Sequence, residues 1–141
     1  MNSTSFEILD HTADVGIRVR GSSIENLFEN AAYGMLRLWF GDLPSMSAVN
    51  ETSLEIHAAD NQQLLVRFLN ELIYVVDSKK VLPLQIKLRI EDGVNLQAIV
   101  KGIDIRKLKV IPYTYIKAAT YHQLKIKEGI EGFTAEIYFD V

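Results

Sequence analysis

Two segments of this chain repeat apolar residues every three to four positions, and each begins with residues that cap a helix. Ser22 and Glu25 have the spacing of a capping box, in which the Ser hydroxyl and the Glu carboxylate satisfy free backbone N–H groups. Asp60 and Gln63 repeat that spacing. The residues that follow predict one apolar face on each helix. These residues are Ile24, Leu27, Phe28, Ala31, Ala32, Met35 and Trp39 in the first helix, and Leu64, Leu65, Phe68, Leu69, Leu72, Ile73 and Val76 in the second.

Alternating apolar and polar residues predict strands in the rest of the chain. Two pairs of such runs flank short turns that contain glycine, which is typical of β-hairpins. Residues 115–122 fit either a short helix or a continuing strand. The predicted strands are residues 54–57, 84–90, 95–103, 124–127 and 133–139, with short apolar or alternating runs at 6–9 and 17–20.

Strands with one polar face belong to an antiparallel sheet that has water on one side. Two amphipathic helices can cover the other side of such a sheet. We therefore expect an α+β fold, with a largely antiparallel sheet under two main helices. At 141 residues, with no linker or low-complexity segment, residues 1–141 are expected to form a single domain.

Composition excludes several kinds of function. The chain has no cysteine, so disulfides, thiol nucleophiles and thiolate zinc sites are excluded. The N-terminal residues lack a signal-peptide pattern, and no apolar run is long enough to span a bilayer. We expect a soluble protein of the cytoplasm.

Charge is unevenly spread along the chain. Residues 1–78 carry 4 basic and 11 acidic residues, whereas residues 79–141 carry 11 basic and 7 acidic ones. The net charge of −3 argues against tight binding to nucleic-acid phosphates. The basic residues of the second part of the chain have two interpretations. They lie on solvated strand faces and loops, or they form a local basic face. Its residues would be Lys101, Arg106, Lys107, Lys109 and Lys117.

Two carboxylates bracket a histidine in the turn-like segment Asp10 to Gly16. Asp14 in this turn could either cap a backbone N–H group or ligate a metal. Asp140 lies next to Val141 at the other end of the chain, and the two ends would meet if the last strand paired beside the first. Carboxylate and carbonyl oxygens are the ligands that Ca²⁺ and Mg²⁺ prefer.

Lys117 interrupts an apolar and aromatic segment, residues 113–122. It can be a half-buried lysine whose ammonium reaches water, or a cation that is held beside the carboxylates to contact a phosphate or a partner.

Enzyme signatures are lacking: the chain has no phosphate-binding glycine loop, nucleophile elbow or paired-histidine helix motif. A metal-dependent hydrolase would have only His11 and His122 as candidate bases.

Several sequence segments, in their order along the chain, resemble those of the archease family. These segments are FEILDHTADVGIRVRG, SIENLFENAAYGM, LLVRFLNELIYVVD, IKAATYHQLKI and AEIYFDV, which together extend over essentially the whole chain. The HTAD turn and the KAxTYH segment are the more specific of them. Gln123 is a small departure, since a smaller residue is commoner there in the family.

The resemblance implies a fold, a function and a site. Archease-like proteins have strand-helix-strand-strand arrangements and act as protein cofactors of the GTP-dependent tRNA-splicing ligase RtcB, whose guanylylation and multiple turnover they promote. They are not ligases themselves. The resemblance maps a divalent-metal site, most simply for Ca²⁺ with Mg²⁺ or Mn²⁺ as alternatives, to Asp14, Asp140 and Val141. It maps a functional lysine to Lys117, with Asp10 and His11 as supporting residues.

Three alternatives remain beside this interpretation. The strongest is the metal-dependent hydrolase, which would use the same carboxylates on a phosphorylated small molecule. The second is a chaperone-like module that binds an RNA-modifying enzyme such as a tRNA methyltransferase. The third is direct RNA binding through residues 101–109, which the acidic net charge makes the weakest alternative and which predicts steep salt dependence. No stable direct nucleic-acid binding and no membrane partner are expected.

Overall fold

The computed structural model describes residues 5–10, 15–109 and 112–141. Two helices and eight strands form over these ranges. In chain order they are β1 (Phe6–Asp10), β2 (Val15–Gly21), α1 (Ile24–Phe40), β3 (Asn50–His57), α2 (Asn61–Asp77), β4 (Val81–Glu91), β5 (Asn95–Asp104), a short 3₁₀ helix (Ile105–Lys107), β6 (Ala118–Ala119), β7 (Ile126–Gly129) and β8 (Gly132–Asp140). Neither helix is long and apolar enough to cross a membrane.

All strand pairs are antiparallel, and the strands form two sheets. The larger sheet has five strands in the order β1-β2-β8-β6, with β7 also paired to β8. The smaller sheet has the order β3-β5-β4. The α+β class, the antiparallel pairing and the two covering helices are confirmed, and the strands are divided over two sheets rather than one. Residues 115–122, which the sequence left open, contain only the two-residue strand β6.

Both helices begin at side-chain caps, although the first cap differs from the prediction. The Ser23 hydroxyl, not that of Ser22, accepts a hydrogen bond from the Asn26 N–H at 3.0 Å. Asn26 Oδ1 in turn accepts the Ser22 N–H at 2.9 Å, so the reciprocal bonds form with Asn26 instead of Glu25. At α2 the prediction is confirmed, because Asp60 Oδ1 accepts the Gln63 N–H at 2.8 Å.

The core lies between the helices and the two sheets. Ile17 and Val19 of β2 and Ile137 and Phe139 of β8 point into it and are fully buried. The rings of Phe28 and Phe68 stack with centroids 6.0 Å apart, which joins α1 to α2. The opposite faces of the strands carry the polar residues, as the alternation predicted. This division leaves the outer face and the edge of the five-stranded sheet free to present functional groups.

Candidate functional site

The edge where β8 ends brings together the flanks of the predicted site. Val15 pairs with Phe139, and Asp10 pairs with Val15, so the chain enters and leaves segment 11–14 at this edge. Asp140 is the next residue of β8, and its side chain is exposed. The final strand therefore pairs beside the second strand rather than the first.

Lys117 lies against Asp140. The Lys117 N–H donates a hydrogen bond to the Asp140 carbonyl oxygen at 2.8 Å, and Ala118 pairs with Asp140 in the sheet. The lysine side chain is exposed, and it forms no ion pair or hydrogen bond with any of the residues that the structure describes. The backbone thus holds an ammonium-bearing residue beside a carboxylate-bearing one, with both side chains open to solvent.

Strand β6, which directly follows Lys117, is held by α2. Asn70 Oδ1 accepts the Ala119 N–H at 2.8 Å, and Asn70 Nδ2 donates to the Ala119 carbonyl oxygen at 3.3 Å. A carboxamide can make both bonds at once, since it carries a donor and an acceptor. Sequence reasoning missed this residue. The available signal was an asparagine within the apolar run of α2, where a polar side chain needs a partner.

A second set of hydrogen bonds positions the segment after β6. Thr120 binds the Tyr138 carbonyl oxygen twice, through its N–H at 2.9 Å and through its hydroxyl at 3.0 Å. The His122 ring packs edge-on against the Tyr138 ring, with centroids 5.7 Å apart. Gly16 leaves room for that ring, because an added Cβ would come within 2.7 Å of two Tyr138 ring carbons. The glycine of the DVG sequence is therefore part of the support for His122.

An ion-paired row covers the outer face of the same sheet. Arg18 Nε and one terminal nitrogen donate to Glu136 Oε2 at 3.1 and 2.8 Å, and Arg18 also reaches Glu7 at 3.4 Å. These bonds from the Arg18 guanidinium hold the pKa of Glu136 below its ordinary value. Glu136 is thus a structural anion, whereas Asp140, four residues further along β8, carries no ion pair with the described residues.

The predicted site residues are only partly within the described ranges. Lys117, Asp140 and Val141 are described, and the structure brings the first two into contact. Asp14 and His11 lie outside the described residues, and of Asp10 only the backbone pairing is described. Within residues 5–10, 15–109 and 112–141 no three His, Asp or Glu side chains gather as a metal-binding group. The metal site and the roles of these residues stay predictions.

Two residues of the candidate basic face, Lys101 and Arg106, and one further histidine, His57, lie elsewhere. Lys101 is on the outer face of the three-stranded sheet, 4.0 Å from Glu51. Arg106 pairs with Asp104 at 2.9 Å beside the 3₁₀ helix, and its guanidinium lowers the pKa of Asp104 to about 2. His57 is exposed on β3 and contacts Asn95. These groups do not lie at the sheet edge that carries Lys117 and Asp140, which is called the Lys117 edge below.

The chain matches the sequence model of one protein family and several of its curated members. The sequence model of the Archease protein family (MTH1598/TM1083) matches residues 6–141. "Protein archease" of Methanosarcina barkeri is 32% identical over 143 residues, covering 96% of this chain and 95% of the relative. "Protein archease" of Archaeoglobus fulgidus is 30% identical over 140 residues, with 96% and 98% coverage.

Two solved structures are similar to this one. The solution structure of Methanobacterium thermoautotrophicum protein 1598 superposes with a TM-score of 0.85 at 30% identity, over 99% of this chain and all of that one. The crystal structure of a Thermotoga maritima protein, described as an archease and possible chaperone, gives a TM-score of 0.66 at 24% identity and 94% coverage of each chain. The latter is a likeness of fold.

Proposed function

Because the chain belongs to the archease family, we propose that it activates an RtcB-type GTP-dependent RNA ligase in tRNA splicing or RNA repair. In this role it promotes guanylylation of the ligase histidine and allows multiple turnover. The ligase supplies the catalytic residues, so this protein is a cofactor and not itself an enzyme. We place this activity in the cytoplasm.

The observation that supports this proposal is the contact between Lys117 and Asp140. One exposed ammonium and one exposed carboxylate occupy the same edge. The backbone hydrogen bond of 2.8 Å holds the two residues next to each other in space. A phosphate of GTP carries charge that a lysine can bind. An exposed edge can enter the active site of another protein, where an enclosed pocket could not.

The donor set at this edge suits a hard divalent cation. Asp140 and Val141 offer oxygens in the described part of the chain, and Asp14 would add a carboxylate from outside it. Oxygen-only donors fit Ca²⁺, Mg²⁺ or Mn²⁺. Such an ion, when bound, supplies positive charge that stabilises developing negative charge on a phosphate. The protein's own residues place Asp140 and Lys117 side by side and keep them accessible.

The test is guanylylation of the cognate ligase under multiple turnover, with and without this protein and a divalent metal. We expect strong stimulation by the wild type, and loss of it in Lys117→Ala, Asp140→Ala and Asp14→Ala proteins. Lys87→Ala and Glu55→Gln, exposed residues of the three-stranded sheet, are matched controls and should stimulate normally. Unchanged stimulation by the folded Lys117→Ala and Asp140→Ala proteins would contradict the proposal.

A second candidate is a chaperone-like module for an RNA-modifying enzyme such as a tRNA methyltransferase. The description of the Thermotoga maritima protein as a possible chaperone favours it. This role predicts metal-independent association that survives Lys117→Ala and Asp140→Ala. A metal-dependent hydrolase, the remaining alternative, predicts turnover of phosphate esters by the protein without a ligase.

A further inference from the structure

Basic segments from two parts of the sequence meet at the carboxyl end of α2. Ser78 caps this helix, and Lys79 and Lys80 follow directly. The Ile105 N–H donates to the Lys80 carbonyl oxygen at 2.8 Å, which brings the 3₁₀ helix and its Lys107 next to them. The three lysine side chains are exposed and form no ion pair with the described residues, so their charge is available to a ligand.

Three tyrosines are exposed beside these lysines. Tyr113 is 78% exposed, Tyr74 54% and Tyr115 46%. The Tyr115 hydroxyl donates to Asp77 Oδ2 at 3.0 Å, which joins it to the last turn of α2, and Tyr74 lies one turn earlier on that helix. The hydrogen bond places Tyr115, with Tyr74, at the end of α2 that carries Lys79, and Tyr113 lies two residues before Tyr115.

The rings of Tyr113 and Tyr115 are fixed although they are exposed. The Tyr113 N–H donates to the Trp39 carbonyl oxygen at 2.7 Å, and its ring lies against Gly41, where an added Cβ would come within 2.6 Å of a ring carbon. The Tyr115 ring meets the Trp39 ring edge-on at 5.7 Å. A ring that is held from behind loses little freedom when a ligand stacks on its open face.

We propose that this lysine–tyrosine surface, formed by Tyr74, Lys79, Lys80, Lys107, Tyr113 and Tyr115, binds single-stranded nucleic acid. Bases stack on the tyrosine rings and the lysines contact phosphates, which is how strands are bound without sequence preference. Tyrosine is enriched at protein–protein interfaces but lysine is depleted there, so the combination of three lysines with the tyrosines favours a nucleic-acid strand over a protein partner. The net charge of −3 keeps the affinity modest and the binding sensitive to salt.

The surface continues into the edge that carries Lys117. Residues 113, 115 and 117 are exposed and Ile116 between them is buried, so one side of this segment faces solvent. The four residue steps from Tyr113 to Lys117 span at most about 14 Å. A strand on the tyrosines would therefore lead toward Lys117 and Asp140. This last step rests on the proposed ligase function, whereas the binding itself does not.

The test uses the protein without any ligase. Binding of a fluorescein-labelled oligo(U) strand of about twelve nucleotides is followed by anisotropy between about 50 and 200 mM salt. Oligo(dT) of the same length shows whether the surface distinguishes RNA from DNA, and binding of either supports the proposal. Tyr113→Ala should weaken binding roughly 5- to 150-fold, the loss expected for one stacked base. Tyr113→Phe, which keeps the ring, should bind nearly as the wild type does.

A charge-matched pair of double variants tests the lysines. Lys79→Glu with Lys107→Glu should reduce the slope of log affinity against log salt by about 1.4, or roughly 0.7 for each lost phosphate contact. Lys87→Glu with Lys125→Glu changes the net charge equally on other surfaces and should leave most of the slope. Circular dichroism checks that each variant folds.

Three results would overturn the proposal. They are no binding of either strand at the lowest salt, equal losses in the two double variants, and loss of ligase stimulation by Tyr113→Ala without any strand binding. The last result would identify a protein interface. Since strand binding is measured without a ligase, its failure and a failure of ligase activation are separate results.

Discussion

The two sheets of this protein are built in different ways. In the three-stranded sheet, β4 and β5 pair from Glu91 with Asn95 to Val81 with Asp104, broken only by a register shift between Pro83 and Gln85. In the five-stranded sheet, β2 near the start of the chain pairs with β8 near its end, and β6 contributes only two residues. The first sheet is centred on one long local hairpin, to which β3 is added, whereas the second joins two local pairs, β1–β2 and β7–β8, through the long-range pairing of β2 with β8.

Side chains complete the sheet that lacks local regularity. Gln62 Oε1 accepts the Ile126 N–H at 3.0 Å at β7, and Asn70 binds both backbone groups of Ala119 at β6. Both residues belong to α2. The described candidate site residues all lie in or beside this sheet. Strand β6 has only two residues, and the side chains of Lys117 before it and of Asp140 opposite it are exposed.

The largest effect is expected from the core that both sheets share. Phe68 is fully buried and stacks on Phe28, so Phe68→Ala should lower the free energy of unfolding by about 3–5 kcal/mol. Urea unfolding followed by circular dichroism and by fluorescence of Trp39, the single tryptophan, measures it. Ile130→Ala is the control, because Ile130 is fully exposed. Two separated transitions would mean that the sheets unfold independently.

A glycine substitution should affect the five-stranded sheet specifically. Gly132 has φ of 127°, and an added Cβ would lie 2.3 Å from the Gly21 carbonyl oxygen. Gly132→Ala should therefore cost about 2–4 kcal/mol through strain and displacement of β2. Gly129→Ala in the same hairpin is the matched control, since its nearest contact would be at 4.0 Å. Equal unfolding midpoints for the two variants would show that β8 tolerates the shift.

Removal of the α2 carboxamide should loosen the site more than the fold. Asn70→Ala leaves the Ala119 backbone groups without their partner, at a cost of about 1–3 kcal/mol. Hydrogen exchange should quicken at residues 117–120 and stay unchanged in β4 and β5, and ligase stimulation should fall. Glu71→Ala, at the exposed neighbouring position, should change neither. If hydrogen exchange at residues 117–120 were unchanged, Asn70 would not be needed to hold Lys117 in place.

The smallest effect concerns the outer ion pairs and depends on pH. The Arg18 guanidinium lowers the pKa of Glu136 below its ordinary value of 4.5, so the pair stabilises the fold above that pH and the stabilisation is lost as pH falls through the lowered value. Since both side chains are more than one third exposed, the contribution is below about 1 kcal/mol. In acid titration, Glu136→Gln should destabilise the protein at neutral pH and approach the wild type below pH 4.5. A constant difference at all pH values would assign the effect to packing.

Local patterns in the sequence predicted the elements well. The two apolar helix faces and the hairpin around Asp92 and Gly93 depend on neighbouring residues, and the structure confirms them. The cap of α1 moved by one residue, because Ser22 and Ser23 are both suitable and only the path of the chain into the helix distinguishes them. Strand boundaries were less accurate: β3 begins at Asn50 and β4 at Val81, before the alternation at 54 and 84 starts, and β7 lies two residues later than the predicted 124–127.

Long-range placement could not be predicted in the same way. No local pattern states that β8 pairs with β2, or that Asn70 meets Ala119, since both depend on how distant segments pack. The sequence left open whether Lys117 is a half-buried lysine or lies beside the carboxylates, and the structure places its backbone next to Asp140. The metal ligands and the part played by Asp14 stay predictions.

The pairing of β2 with β8 has a consequence for the order in which the protein is made. It joins residues 15–21 to residues 133–139, and closing so long a loop is slow compared with forming the local β4–β5 hairpin. During synthesis the hairpin and both helices emerge first, and the Lys117 edge is complete only after β8 arrives. An unfinished chain therefore lacks the edge through which the proposed ligase activation would act. Pulse-labelled hydrogen exchange during refolding should show protection in β4 and β5 before protection in β2.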